Sequence, residues 1–439
     1  MTRSDELTKK INDRTIIVGI IGLGYVGLPL AVACASQGFR VLGFDIKQKR
    51  VDSVNKGISF IADVPNESLT SVVLKTKSLE ATTDQSRLKE TDIICICVPT
   101  PLTKVKEPDL SYVINESEEI SKRLSPGKLV ILESTTYPGT TRQVMLPILE
   151  KSGLTVGIDF FLAFSPERVD PGSKKLTIKN TPKIVGGIDA ESTKLASLFY
   201  SQIVDRVIPV SSAEVAEMTK VFENVFRNVN IALVNELAQL CHSMGMSVWE
   251  VIDAASTKPH GYMPFYPGPG IGGHCIPLDP YYLANKAREY DFHTRFIELA
   301  AEINEKMPYY TIAQIMETLN TQHKSLNGAR ILVLGVTYKK DLGDIRESPS
   351  LKLLELLEKK GATVSYNDPF IPQVQILTST LSSAELTQDN VARVDCVVIA
   401  TDHSCYDLDK IALWAKLVFD TRGATKGIKK YNNIVRLGE

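Results

Sequence analysis

The run Thr15-Ile-Ile-Val-Gly-Ile-Ile21, followed at once by Gly22-Leu23-Gly24-Tyr25-Val26-Gly27, constrains this chain more than any other stretch. The first seven residues have the near-continuous apolar composition of a parallel strand buried on both faces. Residues 28–37 then read as a helix closed by Gly38, and residues 39–45 as a second strand with Asp45 at its tip. Strand, G-x-G-x-x-G turn, helix, strand and acid in that order are the dinucleotide fingerprint in its proper context. Gly22, Gly24 and Gly27 allow the tight turn and the close passage of a pyrophosphate over the helix N-terminus. Asp45 is placed to accept hydrogen bonds from ribose hydroxyls, and its charge repels a 2′-phosphate. NAD is therefore expected over NADP, although Arg50 nearby works against that preference.

Strands and helices go on alternating. Residues 92–98, 128–134 and 160–164 read as further strands, ending in Pro99-Thr100-Pro101, Ser134-Thr135-Thr136 and Ser165-Pro166-Glu167-Arg168. Ligands of doubly wound sheets bind at the carboxyl ends of the strands, where these polar residues gather. After residue 205 the pattern changes. Val215, Met218, Val221, Val225, Phe226, Val229, Leu233, Leu237 and Leu240 recur with helical period and no Gly or Pro interrupts. They predict one long helix over 211–242, a spine between domains. Lys220 and Asn224 share a face of it. They read either as a solvated polar pair or as an ammonium and an amide aimed at one oxygen. A second helix is expected over 292–318, broken near Pro308.

Between these helices lies Gly268-Pro-Gly-Ile-Gly272-Gly-His-Cys275-Ile-Pro-Leu-Asp279. Glycines let backbone approach a ligand closely, a thiol on such a loop is reachable by substrate, and a carboxylate four residues on can hold water or take its proton. A tight turn with a small buried cysteine is the plainer reading. From residue 329 the alternation restarts, with strands at 329–335, 362–368, 395–401 and 416–420 and a helix at 348–360. Val336-Thr-Tyr-Lys339 replaces the glycine turn. A second nucleotide-type fold without the pyrophosphate turn is expected, and Lys339, Lys340 and Arg346 near its mouth suit phosphates. Residues 341–349 read equally as a charged surface loop. The expected class is thus α/β, with two doubly wound Rossmann-like domains, 1–205 and 321–439, joined by a helical region, 206–320.

The 439 residues exceed one ordinary core, and a formal net charge of −1 gives no nucleic-acid or membrane surface. The seven cysteines are scattered and odd in number. Cys95 and Cys97 sit in an apolar strand with no second pair to complete a zinc site. With a polar Met1–Arg14 stretch lacking an apolar core, they predict a reducing, cytoplasmic location.

Gly22-x-Gly-Tyr-Val-Gly-Leu-Pro29, Lys220-x-x-x-Asn224, Gly272-Gly-His-Cys275-x-x-x-Asp279 and Lys339…Asp344-x-Arg346-Glu-Ser-Pro349 occur in this order. As a set they resemble the UDP-glucose/GDP-mannose dehydrogenase family, over about residues 15–435. Ser165-Pro-Glu-Arg-Val-Asp-Pro-Gly172 and the 267–277 loop resemble the branch that oxidises UDP-N-acetylhexosamines, above all UDP-N-acetylglucosamine 6-dehydrogenases. Arg168 and Pro171 depart from the members acting on UDP-glucose. The resemblance implies oxidation of a primary alcohol to a carboxylate with two NAD. It makes Cys275 the nucleophile, Lys220 and Asn224 the oxyanion pair, Asp279 the residue that orients or activates water and Glu167 a helper in thioester hydrolysis. It puts Thr135 near the reacting carbon. Tyr25, Val26, Asp45, Arg50, Thr100, Thr135 and Arg346 match NAD contacts. Glu167, Arg168, Lys220, Asn224, Arg295, Lys339 and the 264–270 loop, including Tyr266 and Gly268, with Gly272 just beyond it, match sugar-nucleotide contacts. It also implies a homodimer or higher homo-oligomer, which a long spine helix suits. The rival readings are a two-electron hydroxyacid-type dehydrogenase, which needs no cysteine nucleophile, and an NAD-sensing protein that is no enzyme.

Overall fold

A computed structural model describes every residue except Met1, Ala62, Lys104, Asp170, Pro171, Ser173, Lys174, His274 and Thr378. The expectations attached to Pro171 and His274 therefore lie outside the described residues. The chain forms two compact units, one of Met1–Glu223 with Tyr281–Phe292, the other of Asn224–Pro280 with His293–Glu439.

The first unit is built on eight strands: β1 (Ile17–Ile21), β2 (Arg40–Phe44), β3 (Leu79–Thr82), β4 (Ile93–Ile96), β5 (Leu129–Leu132), β6 (Phe161–Phe164), β7 (Lys183–Gly187) and β8 (Val207–Pro209). Their order is β3-β2-β1-β4-β5-β6-β7-β8. All neighbours are parallel except β6 and β7. The central strands are apolar throughout because both faces are covered. Val18, Ile20, Cys95, Ile131 and Phe161 join one core cluster, and Ile21, Ile94, Ile96, Leu132 and Phe164 the opposite one. The strand order reverses between β1 and β4, which opens the crevice where ligands of such sheets bind. Residues 3–12, polar for the most part, form a helix that buries Leu7 and Ile11.

The second unit repeats the plan on a smaller scale. Its strands are β9 (Arg330–Leu334), β10 (Thr363–Asn367), the hairpin β11 (Gln373–Ile376) and β12 (Ser379–Ser382), β13 (Cys396–Ile399), β14 (Val418–Asp420) and β15 (Ile434–Arg436). The five-stranded sheet runs β10-β9-β13-β14-β15. The helix Pro349–Lys359, with Pro in its first turn and Ser348 accepting from Ser350 N–H, covers it.

The expected spine is a single helix, Ala213–Met244, of 32 residues. Its periodic apolar residues divide. Val221 and Val225 are buried, but Val215, Met218, Phe226, Leu233 and Leu240, with Phe222 and Met244, are exposed. The buried side carries small and amide residues instead, among them Ala216, Asn224, Asn228, Ala232, Asn235 and Ala238. One expectation is corrected: the helix Arg295–Thr321 runs unbroken through Pro308. Burial of Met307, Pro308, Thr311 and Ile312 holds that turn against the lost backbone bond.

Candidate active site

The glycine turn of the first unit is shaped by contacts no side chain would tolerate. A Cβ on Gly27 would lie 1.9 Å from Gly22 O, and one on Gly22, at φ +89°, would lie 2.6 Å from Cys97 O. Gly24 differs: nothing lies within 4 Å of its Cβ position. The turn is closed on the protein side and open on the other, a cradle that fits a pyrophosphate. Val26 leads into the helix Gly27–Ser36 without a side-chain cap, so the N–H groups of its first turn are not claimed by one. Tyr25 is exposed.

Asp45 is buried at the tip of β2. Its Oδ2 accepts from Leu23 N–H at 3.1 Å and its Oδ1 from Lys47 N–H at 2.9 Å. Arg50 pairs with Oδ2 at 3.2 Å and lies over the Phe60 ring. Strand tips β4 and β5 are tied together where Thr100 Oγ1 donates to Thr135 O at 2.8 Å. Tyr282 in turn donates its hydroxyl to Thr100 O.

Glu217, one turn before Lys220, was missed by sequence reasoning. It is fully buried, and its carboxylate accepts from Gly139 N–H at 2.6 Å, Thr141 N–H at 2.8 Å and the Thr141 hydroxyl at 2.6 Å. Burial pushes this carboxyl up to about 7, against the pull of those donors. The bonds fasten the loop after Thr135 to the helix that carries Lys220. An acid among the apolar residues of that helix was the available signal.

At the tip of β6, Glu167 Oε1 accepts from two backbone N–H groups, Arg168 at 2.7 Å and Val169 at 2.6 Å. Arg168 is spent inside the unit. Its Nε and Nη2 reach Glu223 at 3.2 and 2.6 Å, and Nη1 donates to Pro182 O at 2.7 Å. It braces the loop around Glu167 as a bidentate clamp.

In the second unit the cysteine loop is pinned by amides. Asn224 Nδ2 donates to Asp279 Oδ2 at 2.6 Å, and both residues are buried. Leu278 and Asp279 N–H donate to Cys275 O at 3.0 and 2.9 Å, which fixes a tight turn with Cys275 half-buried. Asn228 donates to Ile276 O at 3.2 Å, Gly268 N–H to Asn235 Oδ1 at 3.0 Å, and Asn235 to Asn304 Oδ1 at 2.9 Å. The loop also touches the nucleotide-type sheet. Gly273 N–H donates to Arg346 O at 3.0 Å, and a Cβ on Gly272 would meet Tyr338 Cβ at 2.5 Å. Asn228 and Asn235 follow Asn224 at helical spacing along one face of the long helix, a signal the sequence carries, whereas Asn304 comes from the helix Arg295–Thr321 and its pairing has no local signal.

Of the remaining sequence-predicted residues, Arg346 is exposed and ion-paired with Asp344 at 2.6 Å. Lys339 is half-buried, and Arg295 is exposed at the first position of its helix. Tyr266 stacks on Trp249, with its hydroxyl 2.8 Å from Asp253.

The acid that matches Asp45 in this unit is Asp368. Its Oδ2 accepts from Val336 N–H at 2.7 Å and lies 3.1 Å from Nε2 of the buried His403. Asp341 N–H donates to His403 Nδ1 at 3.0 Å, so the ring proton sits on Nε2 and is donated to Asp368. Burial works to raise Asp368, but the bond from His403 and the N–H groups of Val336 and Phe370 outweigh it and hold the carboxyl below its ordinary value.

An open glycine cradle before an acid-tipped strand is the geometry of a dinucleotide site. Comparison with known proteins sharpens that reading. The chain matches the NAD-binding domain of the UDP-glucose/GDP-mannose dehydrogenase family over residues 16–204, its central domain over 214–306 and its UDP-binding domain over 332–427. It is 38% identical to the UDP-N-acetyl-D-mannosamine dehydrogenase of Pyrococcus horikoshii, covering 88% of this chain and 89% of that one. It is 37% identical to the UDP-N-acetyl-D-glucosamine 6-dehydrogenase of Pseudomonas aeruginosa, covering 81% and 83%. The solved Pyrococcus horikoshii UDP-D-ManNAc dehydrogenase superposes with a TM-score of 0.87 at 34% identity, covering 96% of this chain and 99% of that one. The chain belongs to the UDP-glucose/GDP-mannose dehydrogenase family and is an NAD-dependent nucleotide-sugar dehydrogenase.

Proposed function

We propose that this protein oxidises the 6-hydroxymethyl group of a UDP-N-acetylhexosamine, namely UDP-N-acetylglucosamine, to the uronate. NAD, bound in the glycine cradle, would accept a hydride from C6 in each of two oxidations. The chain's own residues would do the rest. Lys220 and Asn224 would stabilise the alkoxide and the later tetrahedral oxyanions. The Cys275 thiolate would add to the aldehyde carbon and form a thiohemiacetal, whose oxidation leaves a thioester and whose covalent bond prevents escape of the aldehyde. Water, oriented by Asp279 and deprotonated with help from Glu167, would then form a C–O bond as the C–S bond breaks, returning the thiol. The observation that carries this reading is the Asn224–Asp279 bond of 2.6 Å, with the turn that starts at Cys275 ending on Asp279. It supports a reading in which nucleophile, water-orienting carboxylate and oxyanion amide act as one group.

The relatives named above act on N-acetylated hexosamines, which supports that class. UDP-N-acetylmannosamine is the second reading, favoured by the Pyrococcus horikoshii enzyme. NADH absorbance across a panel of UDP-glucose and the UDP-N-acetylhexosamine epimers decides it. A higher kcat/KM for UDP-glucose would refute the N-acetyl reading.

We also propose three domains, 1–205, 206–320 and 321–439, a division supported by the three family matches. A homodimer is supported by the exposed stripe of Phe222, Phe226, Leu233 and Leu240 on the long helix. A cytoplasmic location is supported by the free thiols of Cys34, Cys95, Cys97, Cys241, Cys396 and Cys405.

A further inference from the structure

Behind Glu167 lies a buried charged cluster that the reaction above does not use. Lys183, the first residue of β7, places Nζ 2.5 Å from Oε2 of Glu133, the residue after β5, and both side chains are buried. Tyr200 donates its hydroxyl to Glu133 Oε1, and the ammonium sits 5.0 Å from the Tyr200 ring centroid. The neighbourhood is otherwise apolar, with Cys95 and Phe199 fully buried beside Tyr200. On its other side Nζ lies 3.8 Å from Glu167 Oε2. Glu167 Oε1 is already held by two backbone N–H groups, so Lys183 adds the third fixed positive influence on this carboxylate. Arg168, bonded to Pro182 O, clamps the chain immediately before Lys183 to the loop of Glu167.

A buried ion pair is an inefficient way to stabilise a core, since apolar residues of similar size serve as well or better. This one has a use that packing does not supply. Glu133 and Tyr200 compensate the burial of the ammonium, and the ammonium in turn faces the one Glu167 oxygen left free by the backbone. We infer that Lys183 is a positioning residue for Glu167, holding its carboxylate in one orientation for attack of water on the acyl-enzyme. Burial works against the charge on Lys183, but Glu133 and then Glu167 outweigh it and raise the ammonium above its ordinary value.

The inference rests on the role proposed for Glu167, and the test separates the two. UDP-N-acetylglucosamine, or the epimer that turns over, is mixed with NAD, quenched, and the intact protein mass measured alongside steady-state rates. Glu167→Gln should accumulate acylated protein; if it does not, the reading of Glu167 fails and this inference with it. If it does, the double variant Lys183→Met/Glu133→Gln, which leaves no lone buried charge, should also accumulate the acyl species. Its kcat should drop about tenfold, part of the usual general-base contribution, with both KM values within about twofold. Lys183→Arg, which keeps the cation, should hydrolyse the acyl group near the unaltered rate, while Lys183→Gln should not. Acyl hydrolysis at full rate in the double variant, or equal accumulation in the Arg and Gln variants, would show that Lys183 serves only the fold.

Discussion

Asp45 and Asp368 occupy the same place in two sheets of the same local order. Each follows the strand beside the first strand of its sheet, and each accepts a backbone N–H from the turn after that first strand, Leu23 at 3.1 Å and Val336 at 2.7 Å. What surrounds them differs. Beside Asp45 stands Arg50, whose side chain is partly exposed, and the turn above it has open space at Gly24. Asp368 is sealed by His403, and the turn above it is closed, since a Cβ on Gly335 would lie 2.5 Å from Thr401 O. The first unit goes straight from turn to helix, which leaves helical N–H groups at the cradle. The second inserts residues 336–348 before its helix begins at Pro349, and Arg346 and Tyr338 of that insertion meet the cysteine loop. One scaffold thus leaves its acid beside an open turn; the other uses its acid to lock an inserted loop.

The comparison breaks most visibly at Cys275. Cys275→Ala should lower uronate formation on the order of a thousandfold or more, while NAD affinity by calorimetry stays unchanged. A parallel loss of NAD affinity would mean that the cysteine loop shapes the cradle. Next in size is Asp45→Ala. Losing hydrogen bonds to a charged acceptor should weaken NAD by roughly ten- to a hundredfold and narrow the preference over NADP. Equal rates with both cofactors in the unaltered protein would remove Asp45 as the discriminator.

Asp368→Asn should leave NAD binding alone and cost about 1–3 kcal/mol of stability at neutral pH. The sign follows from its lowered carboxyl. A group depressed on folding stabilises above its unfolded value, near 3.9, and that stabilisation fades as pH falls through the folded value. Variant and unaltered protein should therefore converge in urea midpoint below about pH 4 and separate above it; a constant gap would make the effect one of packing. The smallest effect concerns the long helix. Leu233→Glu should shift sedimentation from dimer to monomer with little change in melting temperature, and an unchanged sedimentation profile would exclude this stripe as the contact.

Much of this was legible from sequence because strand, turn and helix patterns in parallel sheets are local. The cradle at residues 22–27 and the acid at 45 declare themselves through spacing alone, as does the restart at 329. Other features depend on what packs where. The buried side of the long helix is lined with Asn and Ala, so its larger apolar residues pointed outward, and hydrophobic period alone does not choose the face. Pro308 continues a helix because its neighbours bury it. Glu217, Lys183 and His403 each bond to a residue at least 35 positions away, a pairing no spacing announces. Arg168, matched to a sugar-nucleotide contact by resemblance, also bonds Glu223 and Pro182, partners that its position in the sequence does not announce.

The most direct test counts NADH against uronate in a single-turnover reaction, with the protein's mass recorded after quenching. The account predicts two NADH for every uronate and a transient acyl adduct that maps to Cys275. One NADH per product, an aldehyde or ketone as the end point, and no adduct on Cys275 would contradict it and return the chain to a two-electron dehydrogenase.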